Sequence, residues 1–412
     1  MYESLYANKD AIRFHTPAHN GLLCENLTQL DVTELPYSGN LLESSGGPRA
    51  LEDKLAEIYN VKRVLISTNG ATNCILTALW ALRPRGGIFI LGNAHVSVYN
   101  AAFLAGNKVF DGDDATETQL IKNNIKTVVV TSPDYFGKVQ PLDKIKALCD
   151  KVGAVLVVDS AHGSHFFLDD IFPVQASEYA DLVIYSLHKT LPVATGGAIL
   201  AINNNEFITP AEDARKIFHS TSPSYITMAS MDLAFSDIPS LKEGYIKAVK
   251  KVNELKEKGI EGFTFEPADD PARPVISSRF WADDVYNYLA KKNIYLEMAY
   301  ENKLVAIVTP YNYGKLGILF DELRNMRLEA PRYIPTEKTK RPFSQAGVSE
   351  SYRKVTLENA LGLRCCRPFG IYPPGTPVCR ESEIITSEHI EIMQKHIGRT
   401  FGIESGCVCV VL

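Results

Sequence analysis

Six short apolar runs recur in the first half of the chain, at 64–66, 88–91, 127–130, 154–158, 182–184 and 198–202. Each is apolar at successive positions, without the alternation of a half-exposed strand. That pattern suits strands covered on both faces, and therefore a mostly parallel sheet. Stretches of helical period lie between them, at 48–59 with a proline at the start, 71–82 and 141–152. Strands that alternate with helices predict an α/β domain with helices on both faces of the sheet.

Outside this block the texture changes. Residues 1–45 read as an irregular N-terminal arm. Residues 46–260 read as the large domain, including a helical stretch over 207–260 whose lysines mark a solvated face. Pro267, Pro271 and Pro274 punctuate a linker. Residues 261–412 read as a smaller C-terminal α+β domain, with a strand at 304–308 and a polar, proline-bearing surface loop at 330–347.

Composition narrows the classes. The chain has 412 residues, 45% hydrophobic and 22% charged, which fits an ordinary globular protein with a large core. A net charge of −5 offers no electrostatic case for nucleic acid or an anionic membrane. No apolar run reaches the roughly 18 residues of a membrane span. The first ten residues show no secretory signal, and the eight cysteines are scattered without a Cys-x-x-Cys pair. The expectation is a reduced, cytoplasmic protein with neither a disulfide framework nor a metal site. The last four residues, Cys409-Val410-Val411-Leu412, fit a C-a-a-X prenylation pattern, but the tail from Cys407 also reads as a buried strand, and the strand is the expectation.

The chemistry lies at the strand ends. Asp159 closes the run 154–158 and opens Asp159-Ser160-Ala161-His162-Gly163. Ser186-Leu187-His188-Lys189-Thr190 follows the next strand. A strand-end carboxylate and a strand-end amine are what pyridoxal 5′-phosphate (PLP) needs. The acid keeps the pyridine nitrogen protonated, and the lysine forms the Schiff base. Asn69-Gly70-Ala71-Thr72 sits where a strand turns into a helix, a place where backbone N–H groups bind phosphate well. His95 follows another strand and can lie flat on a cofactor ring. Ser186 and His188 flank the lysine and can donate to phosphate. The hydroxyl-rich segment 219–224, with Thr221, is either a plain turn or a further phosphate contact. Asp159, His162 and His165 also allow a metal reading, but that leaves His188 and Lys189 without a purpose.

These motifs, with His15-Thr16-Pro17-Ala18-His19-Asn20-Gly21, Asp31-Val32-Thr33-Glu34-Leu35, Thr221-Ser222-Pro223-Ser224-Tyr225 and Tyr372-Pro373-Pro374-Gly375-Thr376-Pro377, run in order over most of the chain. Together they resemble the lysine/ornithine/arginine decarboxylases, in their short form, among the fold-type-I PLP enzymes. The resemblance implies that Lys189 binds PLP covalently, Asp159 meets the pyridine nitrogen, and His95 and Ala161 pack on the two ring faces. It gives Ala71, Thr72, Ser186 and His188 to the phosphate, and Thr221 to the phosphate of a neighbouring subunit. It implies a homodimer or higher homo-oligomer with active sites at the subunit interface.

The departures bear on substrate. Val96, Ser160 and Gly196 stand where the family has lysine, an acid and glutamine. The segment Gly362-Leu363-Arg364-Cys365-Cys366-Arg367 replaces Gly-Arg-Ile-Ser-Ala-Glu, so an acidic position has become Arg367. The expectation is a PLP-dependent amino-acid decarboxylase of the polyamine type, with His188 or Lys189 returning the proton to Cα. An aminotransferase or acyl-condensing enzyme is the rival, with Arg364 or Arg367 clamping a carboxylate. A non-catalytic relative is a third reading, against which Asp159 and Lys189 both weigh.

Overall fold

The computed structural model of the chain describes residues 10–19, 31–327, 333, 341, 343–346, 352–372, 375–396 and 398–411. The strands fall in chain order. β1 (Ile12–Phe14) lies in the N-terminal segment. The large domain contributes β2 (Arg63–Ser67), β3 (Gly87–Leu91), β4 (Val109–Gly112), β5 (Ile125–Thr131), β6 (Val155–Asp159), β7 (Leu182–Tyr185) and β8 (Ala198–Ile202). β9 (Phe263–Glu266), β10 (Val275–Ser278), β11 (Ile294–Leu296), β12 (Met298–Tyr300) and β13 (Lys303–Val305) follow, then β14 (Ser344–Ala346). The last part holds β15 (Tyr352–Thr356), β16 (Phe369–Ile371), β17 (Thr376–Cys379), β18 (Thr400–Phe401) and β19 (Cys407–Val411).

The main sheet has the order β14-β4-β3-β5-β6-β7-β8-β2. β4, β3, β5, β6 and β7 run parallel, while β8 is antiparallel to both of its neighbours. β2 therefore points the same way as β7, and the C-terminal ends of β2, β3, β5, β6 and β7 share one edge. Successive residues feed opposite cores. Leu156 and Val158 join the core that takes in Leu51, Leu55, Leu142 and Cys149 from the helices Gly46–Ile58 and Leu142–Val152. Val155 and Val157 join the core with Ala78, Leu79, Ala211 and Ala214 from the helices Gly70–Leu82 and Ile208–Phe218. Burial on both faces is why these strands read as unbroken apolar runs.

Residues 261–412, expected as one smaller domain, are arranged in separate pieces. β12-β13-β10-β9 form a four-stranded antiparallel sheet, packed through Ile276 and Leu304 against Ala248, Val252 and Leu255 of the long helix Ile238–Lys258. β14 returns to the edge of the main sheet beside β4, so part of the expected 330–347 loop is a strand. The expected strand at 304–308 stops at Val305. β15 and β19 pair, and β17-β16-β18 form a small sheet around a separate core. Cys409 lies in β19, buried and opposite Lys354, as the strand reading of the tail requires; Leu412 lies outside the described residues. The N-terminal arm is also used structurally, since β1 pairs in parallel with β11.

A buried ion cluster locks one end of the sheet. Glu52 is fully buried and meets the Arg63 guanidinium at 2.7 Å and Arg215, and it accepts from the Ile66 N–H at 3.0 Å. Removing one partner of such a cluster leaves uncompensated charge in low dielectric. Glu52→Ala is expected to cost about 3–5 kcal/mol in urea unfolding. A loss below about 1 kcal/mol would show that water reaches the two guanidinium groups.

Candidate active site

The shared strand edge gathers the predicted residues. Asp159 ends β6 and is buried, and its Oδ1 accepts from the Ala161 N–H at 3.2 Å. Burial pushes its carboxyl up, against the pull of Lys189 and of that N–H. One strand over, Ser186 leaves β7 and the short helix Leu187–Thr190 presents Lys189. Burial depresses the Lys189 ammonium and Arg273 adds to this, while Asp159 and Glu297 oppose it. A lysine held toward its neutral form is a better nucleophile.

Lys189 Nζ lies 3.1 Å from His162 Nε2. The Nδ1 of that imidazole faces Arg273 Nη1 at 2.8 Å. A guanidinium can only donate, so His162 Nδ1 accepts and the ring proton sits on Nε2, facing Lys189. Burial, then Lys189 and Arg273, hold His162 well below the usual imidazole range. His162 is therefore a neutral N–H donor and a poor base. Tyr135, from the loop after β5, lies against it with ring centres 4.6 Å apart.

A second tier supports this contact. Asp270 lies near Arg273 Nε at 3.6 Å and His165 Nε2 at 3.3 Å. Burial raises the Asp270 carboxyl, but His165 and Arg273 outweigh it and the net shift is downward. His165 stacks on Tyr245, whose hydroxyl donates to the Thr190 carbonyl, next to Lys189. The chain of contacts thus returns to the lysine's own helix. His162 meets Lys189 and Arg273, and His165 meets Asp270.

The phosphate candidates converge on Gly196-Gly197. The Gly70 N–H donates to the Gly196 carbonyl at 2.8 Å, and the His188 N–H to the Gly197 carbonyl at 3.3 Å. Gly196 has φ +94°, and a Cβ there would stand 2.7 Å from the Thr68 carbonyl, so only glycine fits. The helix Gly70–Leu82 starts with no side-chain cap, leaving the first-turn N–H groups of Ala71 and Thr72 for a ligand. Thr72 and Thr221 are exposed. The 219–224 segment docks on Thr68 of its own chain: the Thr68 N–H donates to His219 Nε2 at 3.0 Å, and the Ser224 N–H to Thr68 Oγ1 at 3.2 Å. His188 Nδ1 donates to the Gly197 carbonyl at 3.1 Å, and burial pushes the imidazole down to about 4. Burial therefore leaves His188 neutral at pH 7.

His95 caps the helix Val96–Leu104, its Nδ1 accepting from the Ser97 N–H at 3.2 Å. Burial, then Lys189, push it down to about 4. Gly375 backs it. A Cβ on Gly375, at φ +76°, would stand 2.6 Å from His95 Nε2, and the Val96 N–H donates to the Gly375 carbonyl at 2.9 Å. That gives the glycine of the 372–377 motif a steric reason; Pro373 and Pro374, like Asn20 and Gly21 of the first motif, lie outside the described residues. The Ala18 N–H donates to the His188 carbonyl at 2.9 Å, so the N-terminal motif closes over the lysine helix.

Sequence reading missed Arg273, Asp270 and Glu297. Glu297 lies between β11 and β12, is buried, accepts from the Thr16 N–H at 3.0 Å, and its charge acts on Lys189. Arg364 and Arg367 are exposed. Arg364 donates to the Ser382 carbonyl at 2.7 Å, and Arg367 lies 4.6 Å over the Tyr352 ring.

The site fits PLP. Among the described residues Asp159 receives only a backbone N–H, which leaves carboxylate capacity for a ring nitrogen, and the Gly70 helix start, Ser186 and His188 are the groups that would hold the phosphate beside Lys189. Fold and site define a fold-type-I PLP enzyme. Residues 112–263 match the Orn/Lys/Arg decarboxylase major domain. The chain is 28% identical to YaaO of Bacillus subtilis (strain 168), covering 96% of this chain and 94% of that protein. It is 23% identical to an arginine decarboxylase of the same organism, covering 95% and 92%. The Francisella novicida lysine decarboxylase LdcF superposes with a TM-score of 0.71 at 16% identity, over 94% of this chain and 75% of that one. These likenesses agree on the Orn/Lys/Arg decarboxylases as the proteins to which the chain is similar.

Borohydride reduction of the PLP-loaded protein, followed by peptide mapping, is expected to find the pyridoxyl group on Lys189. A label on any other lysine would overturn the assignment.

Proposed function

We propose that the chain is a PLP-dependent decarboxylase of an amino acid with a basic side chain. The observation that carries the substrate class is Glu297, a buried carboxylate whose field reaches Lys189. A distal ammonium or guanidinium entering the site has an anionic partner there. The two arginines that stand in the altered 362–367 segment are turned to solvent within this chain, at Ser382 and Tyr352, and so do not repel such a side chain. The same placement weakens the aminotransferase reading, which needs an arginine facing the substrate carboxylate. The names of the relatives, arginine and lysine decarboxylases, agree with a basic substrate.

PLP supplies an electron sink for the pair left on Cα when CO2 departs. The protein's groups prepare that event. Asp159 would keep the pyridine nitrogen protonated. Lys189, kept toward neutrality by burial and Arg273, is the nucleophile at its own Nζ. His162 presents its Nε2–H beside that atom and takes up no proton itself. His95, backed by Gly375, would stack its planar ring on the cofactor. Proton return to Cα falls to Lys189 once it is released, or to His188 when a phosphate beside it raises its affinity for a proton.

The reading includes a homo-oligomer in the cytoplasm with Thr221 near a subunit boundary. Phe103 and Leu104, at the end of the helix that His95 caps, are 54% and 52% exposed, as suits a face that another subunit covers. No helix among the described residues is long and apolar enough to cross a membrane.

A decarboxylation screen with product analysis tests the proposal. Lysine, ornithine or arginine should release CO2 and an amine faster than acidic or neutral amino acids, and Glu297→Gln should lower kcat/KM for the basic substrate about 10- to 100-fold, the worth of a hydrogen bond to a charged group. Preference for a neutral or acidic amino acid, unchanged in Glu297→Gln, would remove the basic-substrate reading. Keto-acid formation without CO2 would remove decarboxylation.

A further inference from the structure

The C-terminal part of the chain brings two thiols, a carboxylate and an imidazole together far from Lys189 in sequence. β17 pairs antiparallel with β16 and places Cys379 opposite Phe369. The Cys365 N–H donates to the Glu383 carbonyl at 2.8 Å, and the Ser382 N–H to the Cys365 carbonyl at 2.8 Å, so Cys365 is stapled to the segment that carries Glu383. The helix Ser387–Lys395 begins just beyond, with His389 in its first turn. Ligand atoms of Cys379, Glu383 and His389 lie within 4.8 Å of one another. The Cys365 and Cys379 thiols act on each other, both residues are fully buried, and neither is in a disulfide.

We propose that Cys365, Cys379, Glu383 and His389 bind one zinc-class divalent cation. Two thiolates, one imidazole and one carboxylate are a tetrahedral, borderline-soft ligand set, which suits Zn2+ and disfavours Mg2+ or Ca2+. Three of the four ligands are already gathered, and Cys365 joins them when its Sγ turns from the Arg367 carbonyl. Glu383 Oε2 accepts from the Arg380 N–H at 2.8 Å, leaving Oε1 to coordinate. Cys365 Sγ donates to the Arg367 carbonyl at 2.9 Å, a bond that ends when the thiol proton leaves. His389 Nδ1 meets the Thr386 N–H at 3.3 Å, a weak contact that coordination replaces, while Thr386 Oγ1 still accepts from the His389 N–H. The step balances: Zn2+ enters, two S–H bonds break, two Zn–S bonds form, and two protons pass to solvent.

The surrounding fold gives the ion a purpose. Residues 352–411 comprise a two-stranded and a three-stranded sheet around a small core of their own. Small units of this kind commonly depend on a cross-link. The ion would join three segments that otherwise meet through a few backbone bonds. It would also fix β17, which begins beside Gly375 at His95 and is followed by Arg380, whose guanidinium bonds Asp111 at 3.2 Å and Asn93 at 2.9 Å.

Elemental analysis of the full chain purified under reducing conditions tests the site, with Co2+ titration after chelation. One zinc per chain is expected. Co2+ should give thiolate charge-transfer and tetrahedral d–d absorption that saturates at one ion per chain. Cys379→Ser should abolish the charge-transfer band; His389→Gln, at a half-buried position where the fold survives, should weaken binding at least about 10-fold. Absence of stoichiometric zinc and of the cobalt band in the wild-type chain would overturn the proposal. So would a Cys365–Cys379 disulfide found by mass mapping, or zinc content unchanged in both variants.

Discussion

A carboxylate at the closed end of a strand buried on both faces must find a positive partner. Asp159 is in that position, with a single backbone N–H to satisfy it among the described residues and only 4% of its surface exposed. Lys189, one strand over, is the charge that pulls its carboxyl down against burial. Much of the site follows from this pairing across β6 and β7. The two groups oppose each other's desolvation in the free protein, and each is left with capacity for the two ends of one cofactor ring system.

The second tier keeps that arrangement in one geometry. Arg273 fixes the tautomer of His162, Asp270 lies near Arg273 and contacts His165, and His165 stacks on the tyrosine that bonds the carbonyl beside Lys189. Asp270 and Arg273 reach the site from the linker before β10. Their approach needs Gly137, at φ +75°, where a Cβ would stand 3.3 Å from both side chains. The linker whose prolines looked like mere punctuation is thus the element that orders the imidazole next to the lysine.

Legibility in the sequence tracked locality. Asp159, Ser186 and Lys189 stand within a few residues of apolar runs, and strand ends of a parallel sheet share one edge, so their convergence could be read directly. β4 escaped notice because Val109-Phe110-Asp111-Gly112 has only two apolar residues. β14 escaped because its strand character comes from the pairing with β4. Arg273 and Glu297 could not be read: each sits more than eighty residues from Lys189, and what marks them is burial of a charge, which composition does not reveal. Arg367 could not be placed from its altered motif: its contact with substrate was left open, and the side chain lies over Tyr352. The scattered cysteines gave no metal spacing because their meeting depends on β16–β17 pairing and a helix start.

The central claim is that Asp159 acts on the chemistry and not merely on cofactor retention. The direct measurement is the comparison of Asp159→Asn with the wild-type chain, scoring bound PLP by its absorbance and turnover by CO2 release. The account predicts that the variant keeps most of its cofactor, through Lys189 and the groups that would hold the phosphate, while turnover falls about 100-fold or more, because an amide does not stabilise a protonated ring nitrogen. Turnover like that of the wild-type chain in a PLP-loaded Asp159→Asn protein would contradict it.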